Sequence, residues 1–160
     1  MQDLTPPASS KPSIAASAAV APHFGELALW QAALRARAAV FSGLAPGSRI
    51  GLVAEAAVGS RSQPDSHMLV WEATGAGIEV RQGSFPGFEH TDVDMLMVAD
   101  TAALLLLRQA LEGDVLACMR KLIRAGELLF FARRTRRDLE DAGYDELLEQ
   151  LGFAFLGACR

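Results

Sequence analysis

The sequence predicts an α+β fold. Runs rich in strand-forming residues gather between Arg49 and Asp100, while runs with helical spacing lie before and after them. Segregated strands and helices of this kind indicate α+β. Length sets the scale: 160 residues make one domain, large enough to bury an ordinary core without disulfides or metal.

The elements follow in order. Between Glu26 and Ser42, residues Leu27, Trp30, Ala33, Leu34, Ala38 and Phe41 recur at helical spacing, with Glu26 early and Arg35 and Arg37 late, as the helix dipole prefers. Leu44 to Ser48, Leu-Ala-Pro-Gly-Ser, breaks this helix. Three strands are expected next, at Arg49 to Glu55, His67 to Ala73 and Gly77 to Gln82, the last two joined by a tight turn at Thr74-Gly75-Ala76-Gly77. In the fourth, Asp92 to Asp100, alternation places Val93, Met95 and Met97 on an apolar face and Asp92, Asp94 and Leu96 on a face expected to meet water. Asp100 or Thr101 can cap a helix from Ala102 to Leu111, whose nearly continuous apolar content implies burial on more than one side. It stops at Gly113. In a last helix, Tyr144 to Ala158, residues Leu147, Leu148, Leu151 and Phe155 share one face.

Gly126 to Asp138, GELLFFARRTRRD, is compatible at first sight with a buried strand running into a basic loop, a membrane-contact device, a nucleic-acid patch or one helix with two faces. Leu128, Phe131, Ala132, Thr135 and Leu139 fall at helical intervals, with Glu127 early and the arginines late, which favours a helix.

Residues 1–24 combine four prolines with Ser and Ala, and no amphipathic period runs through them, so they are expected to form a disordered tail before a domain at 25–160. Ile14 to Ala21 imitates a signal peptide, but it contains no Leu or Phe, only one basic residue precedes it, and Asp3 is acidic; a cytoplasmic protein is expected.

Composition excludes several function classes. A net charge of -4 argues against nucleic acid as the main partner, since phosphate neutralisation needs a surplus of Lys and Arg. No apolar run approaches the roughly 20 residues that span a bilayer. Cys118 and Cys159 form neither a disulfide framework nor a zinc set, and burial is the ordinary expectation for both. The best metal candidate is Glu89, His90, Asp92 and Asp94, but alternation puts His90, Asp92 and Asp94 on the face expected to meet water, so no metal is expected. Ser60 and Ser62 lack the strand-to-helix elbow of a catalytic serine, GxGxxG does not occur, and no cofactor or enzymatic activity is expected.

Gly113, Met119, Lys121, Ile123, Gly126 and Glu127, within GDVLACMRKLIRAGE, resemble the sterol carrier protein type two family. The acidic-apolar strand TDVDMLMVAD running straight into TAALLLLRQALEG is also similar to it. The resemblance implies a five-stranded mixed sheet covered on one face by helices, with an apolar tunnel between sheet and helices. It further implies a last strand over Arg120 to Ala125 that ends at Gly126. Arg120 stands where many members have Gly, and MRKLIRAG is more like the bacterial ubiquinone-biosynthesis accessory branch, which shifts the implied ligand from a sterol or acyl-CoA towards a quinone, prenyl or phospholipid molecule.

On this reading the chain is a non-catalytic carrier of a lipid-like ligand, with Val93, Met95, Met97, Leu128, Phe131, Leu151 and Phe155 as tunnel wall. Methionines suit a cavity that accepts flexible chains. Arg133, Arg134, Arg136 and Arg137 could meet an anionic membrane surface or a protein partner. The alternative is an accessory module that docks on a lipid- or ubiquinone-biosynthesis complex through that basic helix.

Overall fold

A computed structural model describes residues 24–59 and 66–153. The expected tail falls outside them up to residue 23. Phe24 belongs to the domain: it is fully buried, and its carbonyl accepts a hydrogen bond from Trp30 Nε1 at 2.7 Å.

The elements are α1 (Leu27–Arg35), α2 (Ala38–Phe41), β1 (Arg49–Ala54), α3 (Glu55–Gly59), β2 (His67–Thr74), β3 (Gly77–Ser84), a 3-10 turn (Phe88–His90), β4 (Met95–Ala99), α4 (Thr101–Ala110), α5 (Val115–Ala125), β5 (Leu128–Ala132), α6 (Arg136–Asp141) and α7 (Asp145–Gln150). The five strands form one sheet in the order β3-β2-β1-β4-β5, with β1 and β4 parallel and the other pairs antiparallel. The α+β class and the five-stranded mixed sheet are as expected.

Register assigns each residue to a face. Val80, Trp71, Ile50 and Met95 stand in one row across the sheet, and Leu69, Leu52, Met97 and Phe130 in the next. These residues meet Trp30, Leu34, Phe41, Leu104, Leu107, Met119 and Leu147 in the main core. On the opposite face Val53, Met68, Val70, Leu96 and Val98 form a smaller cluster with Phe85 and Val93, against which Ala57 of α3, Phe88 and Phe131 pack. β4 is therefore buried on both faces. Its second face was expected to meet water, but the 3-10 turn and α3 supply apolar cover there.

Caps explain the helix ends. Asp100 Oδ1 accepts from Ala103 N at 2.7 Å and so starts α4, while Asp114 Oδ1 accepts from Ala117 N at 3.1 Å and starts α5. α4 buries Ala103, Leu104 and Leu107 but leaves Leu105 49% and Leu106 44% exposed, so it is covered on one side only, contrary to the expectation from its composition. The first helix, expected to be continuous, divides into α1 and α2 at Ala36-Arg37.

The largest correction falls between Val115 and Asp138. Arg120 to Ala125, expected as the last strand, is the second half of α5, in which Val115, Leu116, Met119 and Leu122 are buried at helical spacing. Gly126 takes the left-handed conformation, φ 79°. Its N–H donates to Ile123 O and that of Glu127 to Leu122 O, which is a Schellman closure of the helix. Leu128 to Ala132, expected as helix, is β5. A short run of Leu and Phe fits either period, and pairing with β4 decides it as strand. The basic residues then lie in a loop and in α6, where Thr135 Oγ1 accepts from Asp138 N; a strand running into a basic loop is what the chain adopts.

Candidate functional site

A concave groove lies where α1 and α2 meet the β2–β3 end of the sheet. Gln31 on α1 places its side chain along the edge of β3, donating from Nε2 to Ile78 O at 2.8 Å and accepting at Oε1 from Val80 N at 2.9 Å. One amide thus pairs two backbone groups of an edge strand and holds the helix over it. The β2–β3 turn is fixed by Thr74, whose Oγ1 donates to Gly77 O at 3.0 Å and accepts from Ala76 N at 3.1 Å. Between these fixed walls runs a cavity of about 500 Å³. Ala38, Phe41, Leu44, Ala73 and Ile78 supply apolar surface, and Arg35 and Glu79 bring charge to its lining.

Behind Phe41 lies the aromatic centre of the core. Phe41 meets Trp71 edge-on with ring centroids 6.1 Å apart, and Trp71 lies 6.0 Å from Trp30 in a tilted arrangement. From Trp71 the sheet row leads through Ile50 to Met95. Phe41, Trp71 and Ile50 thus stand in sequence between the groove and Met95 in the interior between sheet and helices.

Across the molecule a polar cluster joins the starts of β1 and β4 to the end of β5. Asp94 Oδ2 accepts from Tyr144 Oη at 2.7 Å and Arg49 N at 3.1 Å, and Oδ1 accepts from Arg134 Nε at 2.9 Å. Asp92 faces Arg49 and Arg134, and Glu72 faces Arg49 and Arg81. Tyr144 is fully buried. Burial first, and then its bond to the Asp94 carboxylate, push its hydroxyl well above the ordinary tyrosine range.

A pH prediction follows from that shift. The folded state keeps the proton that the unfolded chain releases above about pH 10, so this contribution to stability is complete below that pH and is lost as pH rises beyond it. Tyr144 is the single tyrosine of the chain, so phenolate absorbance reports it alone. Alkaline titration should show no phenolate until the protein unfolds; a reversible rise in the folded protein near pH 10 would contradict this.

Solved structures similar to the chain include the following three. A UbiJ-SCP2 ubiquinone synthesis protein is 18% identical, with a TM-score of 0.43, covering 78% of this chain and 88% of its own. A conserved hypothetical protein from Thermus thermophilus, suggested to be a sterol carrier protein, is 15% identical, with a TM-score of 0.41 over 78% of this chain and 82% of its own. Sterol Carrier Protein 2 from Yarrowia lipolytica, in its apo form, is 13% identical, with a TM-score of 0.37 over 86% of this chain and 99% of its own. All three descriptions mention the family that the sequence motif resembles. At these identities and TM-scores the likeness is loose, and the reading of the groove rests on this chain's own geometry. No family model and no curated protein matches the chain.

The seven expected wall residues do not surround one space. Met95, Met97, Leu128 and Leu151 are buried together in the main core, whereas Val93 and Phe131 belong to the cluster on the opposite face; Phe155 lies outside the described residues. Two parity errors explain the split. Val93 precedes β4, which begins at Met95, so strand alternation does not extend to it. Helical spacing had grouped Leu128 with Phe131, but in a strand Leu128 and Phe130 point one way and Leu129 and Phe131 the other.

The four arginines do not share a helix face. Arg133 lies with its guanidinium 5.0 Å from the centre of the Phe88 ring. Arg134 pairs with Asp94 and Asp92, Arg136 with Glu140, and Arg137 with Asp141. Asp92 and Asp94 are thereby engaged by arginine, and no group of three or more His, Cys, Asp or Glu among the described residues could hold a metal. Cys118 is half-buried, its thiol pushed up by desolvation; Cys159 lies outside the described residues. No helix among them is long and apolar enough to cross a membrane.

Sequence reading passed over the groove itself. Phe41 was visible on the first helix and the Thr74–Gly77 turn between two strands, but nothing local says that they meet. The pairing of Gln31 with β3, forty-seven residues away in sequence, is what brings them together.

Proposed function

We propose that the protein is a non-catalytic binder or carrier of an apolar, lipid-like molecule, which enters at the groove between α2 and the β2–β3 turn and extends into the layer between sheet and helices. The observation that carries this reading is the cavity of about 500 Å³ to which Ala38, Phe41, Leu44, Ala73 and Ile78 give apolar surface, with Arg35, Ser42, Thr74 and Glu79 also in its lining. That volume lies within the roughly 300–1,000 Å³ of small-molecule sites. Met95, Met97 and Met119 are all fully buried in the adjoining layer, and unbranched methionines can rearrange around an entering chain. Met95, Met97, Leu128 and Leu151 thus stay in the proposal as inner wall.

Burying apolar surface at roughly 25 cal/mol per Å² supplies the driving force, so affinity would grow with chain length and selectivity would be low. The names of the similar structures, a ubiquinone synthesis protein and sterol carrier proteins, agree with a hydrophobic ligand. The accessory role, docking through the basic segment, finds less support, because Arg134, Arg136 and Arg137 already face carboxylates of this chain.

The test fills the groove. Ala38 is exposed and lines it, so Ala38→Trp should leave thermal stability nearly unchanged and weaken uptake of an apolar fluorescent probe more than tenfold. Unchanged uptake by that variant would move the ligand elsewhere; no uptake by the wild type would refute the reading.

A further inference from the structure

Among the side chains next to the groove, one buried polar atom is unaccounted for. Trp71 is fully buried, and its indole Nε1–H has no hydrogen-bond partner among the described residues. The other tryptophan differs. Trp30, 6.0 Å away ring to ring, gives its Nε1–H to Phe24 O. A buried donor without an acceptor is unfavourable, so an N–H at this place in an apolar layer calls for a partner.

Position suggests one. Trp71 lies behind Phe41, and Ala73, two residues along β2 on the same face, lines the groove with Phe41. A ligand that displaces the Phe41 ring would meet the indole first. Its near neighbours are Val80 and Ile50 in the sheet row and the rings of Trp30 and Phe41. These neighbours supply neither an acceptor nor a cation. An ionised carboxylate would be poorly stabilised in such a place, whereas a neutral oxygen would accept the bond without carrying charge into the apolar layer.

We infer that Trp71 Nε1–H is the polar anchor of the site and that the ligand is an apolar molecule bearing a neutral oxygen acceptor, such as a carbonyl or ether, rather than a pure hydrocarbon. This rests on the carrier reading above and makes it more specific. It also assigns a reason for indole at position 71: the hydrogen bond orients the ligand, while its apolar part provides most of the affinity.

The experiment compares a long-chain methyl ketone with the alkane of the same length, each displacing an apolar fluorescent probe from wild type and from Trp71→Phe. The substitution should weaken the ketone about fivefold to tenfold, the loss expected for one buried hydrogen bond, and leave the alkane within about twofold. Equal effects on both ligands would overturn the anchor and leave the carrier reading standing; failure of both ligands to bind wild type would overturn the carrier reading itself. A second measurement needs no variant. In the wild-type protein the ketone should shift the Trp71 indole N–H proton resonance downfield and slow its solvent exchange, with the already bonded Trp30 N–H as internal control. An unmoved Trp71 signal in the ketone-saturated protein would equally overturn the anchor.

Discussion

Gly143→Ala should destabilise the fold by about 3 kcal/mol or more, the sum of a left-handed backbone position and a steric collision. Gly143 has φ 86° and closes α6: its N–H donates to Glu140 O, and that of Tyr144 to Leu139 O. A methyl group there would run into the backbone carbonyl of Gly43, which cannot swing aside as a side chain could. The neighbouring strands of chain are further tied by Ala45 N–H donating to Ala142 O at 2.9 Å. Gly43→Ala is the matched control. Its new methyl would lie 3.6 Å from Gly143 O, an ordinary contact. Urea denaturation should therefore separate the two variants widely; similar midpoints would show that the close approach between residues 43 and 143 is not a determinant of stability.

Asp94→Ala has the second-largest expected effect, about 2–4 kcal/mol. The carboxylate is only 17% exposed and holds three elements at once through Arg49 N, Arg134 and Tyr144. Its removal would leave the buried Tyr144 hydroxyl with Arg49 O at 3.4 Å as its remaining acceptor. Arg134 is half exposed, and its pairing contributes less. Asp94→Asn keeps an oxygen acceptor for Tyr144 and should lose about half as much. If alanine proved no worse than asparagine in thermal or urea unfolding, the Tyr144 bond would not be the principal contribution.

Much of the fold was legible in the sequence because its signals are local. The strand formers from His67 to Ala73, the glycine turn that follows, and the Asp100 cap each report a single element, and each element forms where expected. Local signals fail where two periods fit the same residues. Leu128 to Phe131 satisfied a helical spacing as well as a strand, and only the ladder with β4 distinguishes them. The family resemblance placed the last strand at Arg120 to Ala125, so strand and helix stand in exchanged positions on either side of Gly126. The glycine between them was correctly noticed as a boundary, but it ends a helix instead of a strand.

The candidate site was less legible, because it depends on contacts distant in sequence. Met95 and Met97, expected as tunnel wall, are buried in the main core on the helix-covered side of the sheet. Val93 and Phe131 were assigned to the same wall by a period that their backbone does not follow. Phe41 and Trp71 are brought together across thirty residues by the sheet and by the grip of Gln31 on β3. Of the four arginines, Arg134 meets carboxylates from a distant part of the chain, Asp92 and Asp94, and Arg133 meets Phe88, contacts that no local pattern shows; Arg136 and Arg137 pair within α6 with Glu140 and Asp141.

Native mass spectrometry of the wild type and Ala38→Trp with the long-chain methyl ketone tests the carrier reading most directly. A saturable one-to-one adduct is expected with wild type and is expected to be lost or strongly reduced in Ala38→Trp. Bare wild-type protein at saturating ketone, or an undiminished adduct in the variant, would contradict that reading.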